Sequence, residues 1–197
     1  MIALPTLFGD LYRCQAMDPP WLEQGGGQCV RGAQRHYPLM STPDILRTIL
    51  ASPSWRPAPD AHLWVWVTDN FLEDGLWLVR ELGFRYVRCF PWVKVKDEPQ
   101  LDDAELLSED EGQLQVGLGQ YARGAHELLL FAVRGSLPVP PPAARPRSVI
   151  LARRGRHSAK PEKAFRVMER VSPGPRVEFF ARAARPGWDA MGNEVRG

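Results

Sequence analysis

Apolar residues recur along this chain in two rhythms. Short apolar or alternating runs at residues 11–17, 62–68, 86–95, 127–133, 149–152 and 177–180 have the length and the aliphatic and aromatic content of strands, several of them buried on both faces. Between them the spacing changes to that of helices. Ile45, Leu46, Ile49 and Leu50 share one helical face behind a cap at Ser41 or Thr42, with Pro43 in the first position and Pro53 as the stop. Leu72, Leu76, Leu78, Val79 and Leu82 form a second face, capped by Asp69 or Asn70 and ended by Gly83. A third helix is expected over 161–171, started by Pro161 and stopped before Pro173, while the prolines of 138–142 read as a connector. Strands alternating with helices predict an α/β fold, a doubly wound sheet in three layers. No internal repeat or second core is visible, so residues 1–197 are expected to form a single domain.

The first strand ends in Asp18-Pro19-Pro20-Trp21, and open α/β sheets bind ligands beyond the carboxyl ends of their strands. Pro19 and Pro20 fix φ and remove two backbone donors, so the turn is expected to present the Pro19 carbonyl as an acceptor with no neighbouring N–H competing. Asp18 adds a second acceptor. Two acceptors aimed at the hydrogens of an exocyclic NH2 on adenine or cytosine would localise the nitrogen lone pair for attack on a methyl sulfonium, and Trp21 would stack on the base. A surface turn uses the same residue types. Gly25, Gly26 and Gly27 follow, but no Gly-Lys-Ser/Thr completes a phosphate cradle, so this stretch reads as a flexible loop.

Charge changes the picture more than composition does. The net charge is only +2, yet residues 97–111 carry eight acidic and no basic side chains, and residues 134–170 carry ten basic ones against Glu162 and Glu169, a local +8. The acidic run is expected to be a mobile loop around 96–118, or a gate that partly repels nucleic acid. The basic stretch suits phosphate contact, though a solvated helix face has the same composition. Cys14, Cys29 and Cys89 are isolated thiols without Cys-x-x-Cys spacing, which fits a reducing cytoplasm and neither a disulfide scaffold nor a metal site. No signal peptide or membrane span is expected, and no membrane partner.

Several stretches together resemble a known family. Besides Asp18-Pro-Pro-Trp21 these are Trp92-Val-Lys94, Gly117-Leu-Gly-Gln-Tyr-Ala-Arg-Gly-Ala-His-Glu127, Ser158-Ala-Lys-Pro161, Ser172-Pro-Gly174, Glu178-Phe-Phe-Ala-Arg182 and Trp188-Asp-Ala-Met-Gly-Asn193, in the family's order. The chain resembles the MT-A-type family, named for the seventy-kilodalton catalytic subunit of the mRNA adenosine methyltransferase, over about residues 12–195. The resemblance implies transfer of a methyl group from S-adenosyl-L-methionine to adenine N6 on a circularly permuted, Rossmann-like methyltransferase sheet, with the catalytic motif ahead of the cofactor motif. It places Glu178, Phe179, Phe180 and Arg182 in the cofactor wall, Asn193 and Glu194 near the ribose hydroxyls, and Lys160 against the ribose or the methionine carboxylate. Tyr37 and Lys94 are expected to line the base pocket, where packing for Tyr37 and a surface charge for Lys94 are the plain alternatives. A Cys-Asp type segment that relatives often carry ahead of the catalytic strand has only residues 1–10 to occupy, and Ala183-Ala184 lacks polar groups that some relatives place there. The expected substrate is DNA, with RNA as the alternative. A catalytically idle partner subunit is the reading from another class, and a homodimer or heterodimer is expected because relatives commonly pair.

Overall fold

The computed structural model describes residues 11–22, 39–96, 114–116, 121–155 and 159–192. Seven strands join one sheet: β1 (Tyr12–Met17), β2 (Pro57–Val67), β3 (Arg85–Val95), β4 (His126–Arg134), β5 (Ile150–Arg153), β6 (Arg176–Phe179) and β7 (Asp189–Met191). Their order across the sheet is β5-β3-β4-β2-β1-β6-β7, so the first strand lies near the middle, between β2 and β6. It runs parallel to both. Only β4 runs against its neighbours β2 and β3. No helix connects β3 to β4 among the described residues, and an antiparallel neighbour needs no crossover helix.

Alternation along the strands divides the core into two layers. Leu63, Val65 and Val67 of β2 and Leu130 and Ala132 of β4 face α1 (Thr42–Ala51) and α2 (Leu72–Glu81), whose Ile45, Ile49, Leu78 and Val79 complete that side. The intervening Trp64, Trp66, Leu129 and Phe131 face α3 (Glu162–Val171), which contributes Ala164, Phe165 and Met168. Helices therefore cover both faces, as the two rhythms predict.

The larger departures from expectation each have a local reason. β2 begins at Pro57, well before residue 62, because residues 57–60 precede the β4 ladder that opens at Ala61. Prolines there cost no pairing on the β4 side. Asp69 starts a short 3-10 turn, Asp69–Phe71, ahead of α2, and its carboxylate accepts from His126 Nε2 at 3.1 Å instead of capping. β6 stops at Phe179 because Phe180 turns into the left-handed region at φ 59°. β7 was not anticipated, since three residues are too few to show a rhythm. The cap on α1 is as expected, with the Ser41 hydroxyl accepting from the Asp44 amide at 3.3 Å. The acidic run 97–111 lies entirely outside the described residues; no described helix is long and apolar enough to cross a membrane.

A buried polar knot sits away from the carboxyl end of β1. The Ser172 hydroxyl accepts from Trp64 Nε1 at 2.9 Å and lies 3.0 Å from His62 Nδ1. Burial lowers the His62 imidazole to about 4 and pushes the neighbouring Cys14 thiol up to about 12, so both are neutral at physiological pH.

Candidate active site

The same alternation that builds the core arranges a row of polar side chains along the carboxyl edge of the sheet. Glu178 follows Val177 on β6, Asp18 is the next α3-side position after Ala16 on β1, Glu127 precedes Leu129 on β4 and Lys94 follows Trp92 on β3. All four therefore project on the α3 side, in the order of their strands. Lys160, from the segment ahead of α3, reaches across β2 to join the two halves of the row. Its Nζ lies 2.9 Å from Asp18 Oδ1 and 2.9 Å from Glu127 Oε2. Lys94 Nζ takes the other oxygen of Glu127 at 2.8 Å, and Arg182 Nη2 the other oxygen of Asp18 at 3.4 Å.

Two tryptophans floor this network. Lys160 Nζ sits 5.3 Å from the Trp66 ring centroid and Lys94 Nζ the same distance from Trp92, cation–π placements that help hold ammonium groups only partly in solvent. Side-chain exposure is 13% for both Lys160 and Asp18, so their attraction is weakly screened. Burial works against the Lys160 charge, but Asp18 and Glu127 outweigh it and hold the ammonium above the ordinary lysine value. Burial likewise works against ionised Glu127, and Lys160 and Lys94 together still bring it below the ordinary carboxylate value. Glu178 goes the other way: burial lifts it to about 7 against the pull of Arg185, and Asp18 adds to the lift.

The Asp18-Pro19-Pro20-Trp21 turn is built differently from the sequence expectation in one respect. The Trp21 amide donates to the Pro19 carbonyl at 2.9 Å, because the turn folds back within two residues. A neighbouring N–H thus takes one lone pair and leaves the second. The Pro20 carbonyl is taken by the Met40 amide at 2.8 Å, which ties the turn to the chain ahead of α1. Trp21 itself is 7% exposed, donates through Nε1 to the Trp66 carbonyl at 3.0 Å and stacks on Phe71 with centroids 5.5 Å apart. One indole face is therefore occupied by protein.

Beside β1 the chain leaves β6 through Phe180, and the Ala181 amide donates to the Met191 carbonyl at 3.0 Å. Gly192 packs so closely there that a Cβ would overlap the Ala181 carbonyl oxygen. Arg185, in the loop that follows, pairs with Glu162 and lies 3.6 Å over the Phe165 ring, while Trp188 Nε1 donates to Glu169 at 2.8 Å. These contacts fasten the loop to α3. Of the residues singled out in the sequence, Asp18, Lys160, Arg182 and Lys94 enter one ion-pair network, and Glu178 feels the charges of Asp18, Arg182 and Lys160. Phe179 is buried against the α1 and α2 side and Phe180 packs partly against it. Tyr37, Asn193 and Glu194 lie outside the described residues. Glu127 is the member that sequence reasoning passed over, although it stands at the head of a leucine run on the α3-side alternation.

The MT-A70 family model matches residues 12–194, nearly the whole chain. The chain belongs to the MT-A70 family. Among relatives, the type II methyltransferase M.MunI of a Mycoplasma species is 24% identical over 210 residues, covering 97% of this chain and 81% of that enzyme. A putative N6-adenosine-methyltransferase MT-A70-like protein of Medicago truncatula is 29% identical over 149 residues, 72% of this chain and 22% of its own length. The human N6-adenosine-methyltransferase catalytic subunit METTL3 is 28% identical over 142 residues, 70% of this chain and 22% of that protein. The chain thus spans about a fifth of these two relatives. All three relatives are methyltransferases by name, and two of them N6-adenosine-methyltransferases.

Proposed function

We propose that this member of the MT-A70 family methylates the N6 amino group of adenine in DNA, on a circularly permuted methyltransferase sheet within a single domain. The observation that carries the reading is the convergence of Asp18, at the end of β1, with Lys160 and Arg182 from the far end of the chain. The strand order supports the permuted reading: the Asp18 strand comes first in the chain yet pairs with β6, whose end carries the cofactor-side residues. DNA is favoured by the match to a type II methyltransferase over four-fifths of that enzyme's length; the adenosine methyltransferases among the relatives support RNA as the alternative.

The residues at the site fit the cofactor chemically. Lys160 and Arg182 are cations able to hold a carboxylate, Glu178 can accept from an ammonium or a hydroxyl, and the backbone of Phe179, Phe180 and Ala181 shapes a tight turn beside them. Asn193 and Glu194 would complete the ribose contacts. When bound, S-adenosyl-L-methionine supplies an electrophilic methyl on a positively charged sulfur. Asp18 and the remaining lone pair of the Pro19 carbonyl accept the two amino hydrogens of a flipped or single-stranded adenine, and so hold its nitrogen in line for direct transfer. Lys94 stands on the base side, and Tyr37, outside the described residues, is the further candidate for it. No covalent enzyme intermediate is needed, since the exocyclic nitrogen is itself the nucleophile.

A tritiated-methyl assay on duplex DNA, single-stranded DNA and RNA, with the modified nucleoside identified by mass spectrometry, tests the reading. Asp18→Ala is expected to abolish transfer while calorimetric binding of S-adenosylmethionine survives. Methylation of adenine by that variant at the wild-type rate would sink the mechanism, and absence of cofactor binding by the wild type would point to the idle-partner class.

A further inference from the structure

Asp18 has to accept an amino hydrogen, yet both of its carboxylate oxygens already face cations, Lys160 Nζ at 2.9 Å from Oδ1 and Arg182 Nη2 at 3.4 Å from Oδ2. Only 13% of the Asp18 side chain is exposed, so a base that comes to this carboxylate meets a cation first. Lys160 is the member of the network placed to give way. Its ammonium is shared at 2.9 Å between Asp18 and Glu127 Oε2, and Lys94 holds the other oxygen of Glu127 at 2.8 Å. The two carboxylates are anchored by the sheet. Glu127 pairs with Trp92 in the β3–β4 ladder, and the Asp18 amide donates to the Phe179 carbonyl at 3.4 Å. Lys160 comes instead from the irregular segment between β5 and α3. If it leaves Asp18 it still has the Glu127 carboxylate and the Trp66 ring, so its charge is not stranded.

We propose that Lys160 locks the base side of the site in the free chain by occupying Asp18, and that it releases Asp18 while keeping Glu127 when the carboxylate of the methyl donor competes for its ammonium. Glu127 is then a positioning residue, the fixed seat that Lys160 holds through the exchange. The inference rests on the reading of the chain as an S-adenosylmethionine-dependent adenine methyltransferase and adds the regulation of that site: the donor uncovers the acceptor that the amino group needs. Its physical warrant is the weak screening around Lys160. Two carboxylates drawn to one ammonium repel each other there, so a newcomer weakens the Lys160–Asp18 pair. Such a coupling is reciprocal, and an adenine held at Asp18 strengthens donor binding by the same factor.

The test titrates the full chain against a labelled single-stranded oligonucleotide of mixed sequence, in DNA and RNA versions. Each version is made once with adenine and once with purine, which lacks the 6-amino group, at every adenine position. Titrations are run without donor, with saturating S-adenosylhomocysteine, and with a saturating analogue of it that lacks only the carboxylate. For the wild type, S-adenosylhomocysteine is expected to tighten binding of the adenine oligonucleotide on the order of tenfold. Removing either the carboxylate or the amino group should bring that gain below about twofold. Lys160→Met lacks the lock, so it should prefer adenine over purine with no donor present and show little coupling, whereas damage to the fold would weaken both oligonucleotides alike. Glu127→Gln removes the second seat and should increase the coupling. A gain that survives loss of the carboxylate, or that is equal for purine, overturns the exchange, as does either variant with the wild-type coupling. Wild-type chain that methylates adenine in the tritium assay without this coupling keeps the methylation reading and loses the exchange. Wild-type chain that shows the coupling but methylates no adenine keeps the exchange and loses that reading, and chain that binds neither nucleic acid loses both.

Discussion

Lys160→Met removes one charge from the centre of the polar row and keeps most of the side chain's length. The ammonium it deletes makes two contacts of 2.9 Å, to Asp18 and to Glu127, at 13% exposure. Breaking a buried ion pair by removing one partner costs about 3–5 kcal/mol, because the remaining charge stays desolvated. Here each stranded carboxylate keeps a second cation, Arg182 at 3.4 Å and Lys94 at 2.8 Å, which places the loss at the lower end, about 3 kcal/mol. For a chain of this size that corresponds to a fall in melting temperature of roughly 6–12 °C. Thermal melts by circular dichroism at pH 7 read it directly. The pH dependence identifies its origin. Glu127 has a folded value below its ordinary one, so its contribution is present above the ordinary carboxylate value and is lost as the pH falls through the folded value. The gap between wild type and Lys160→Met must therefore narrow in acid. A melt within a degree of wild type at pH 7 would refute the ion-pair account, and a gap that stays constant in acid would assign the loss to packing over Trp66 instead.

Three further outcomes follow from the geometry. His62 is depressed from 6.5 to about 4 by burial, so the unfolded chain takes up the proton first; stability worth about 3 kcal/mol is present above pH 6.5 and is lost as the pH falls toward 4. Urea unfolding of wild type and His62→Gln across that range should show the slope in the first and a flatter profile in the second, and equal slopes would discount His62. Gly192→Ala forces a methyl group into the Ala181 backbone, and should weaken S-adenosylmethionine binding by calorimetry far more than it lowers the melting temperature, unless the turn beside β6 has no part in the cofactor site. Gly75→Ala gains helix propensity in α2 but drives a Cβ into Val67, so a net destabilisation of about 1–3 kcal/mol is expected, and a stabilised variant would show that the contact relaxes freely.

Much of the fold was legible because alternation and helical spacing are local. The strand ending at Asp18, the α1 cap at Ser41 and the leucine strand β4 could all be read from a few neighbouring residues. The start of β2 was not, because Pro57 and Pro59 argue against a strand until one sees that the β4 ladder opens only at Ala61. The site divided in the same way. Asp18 and its prolines announce themselves as a turn chemistry, whereas the Glu127 carboxylate gains meaning only from Lys94 and Lys160, which reach it from another strand and from the segment ahead of α3. The Trp21 amide competing for the Pro19 carbonyl is likewise a matter of how tightly the turn closes, which the tetrapeptide does not specify.

The row at the sheet edge also works as a register gauge. Slipping a strand by one residue turns every side chain to the other face. A β4 displaced by one position would bring Leu128 to the α3 side and remove the carboxylate that joins Lys94 to Lys160. The irregularities in pairing fall between Tyr12 and Cys14 and between Tyr86 and Arg88, away from the carboxyl edge, where the ladders run without interruption. A chain with mispaired strands can keep its helices and much of its sheet, yet it cannot assemble Glu178, Asp18, Glu127 and Lys94 side by side. Loss of activity would then detect misfolded molecules that circular dichroism scores as native.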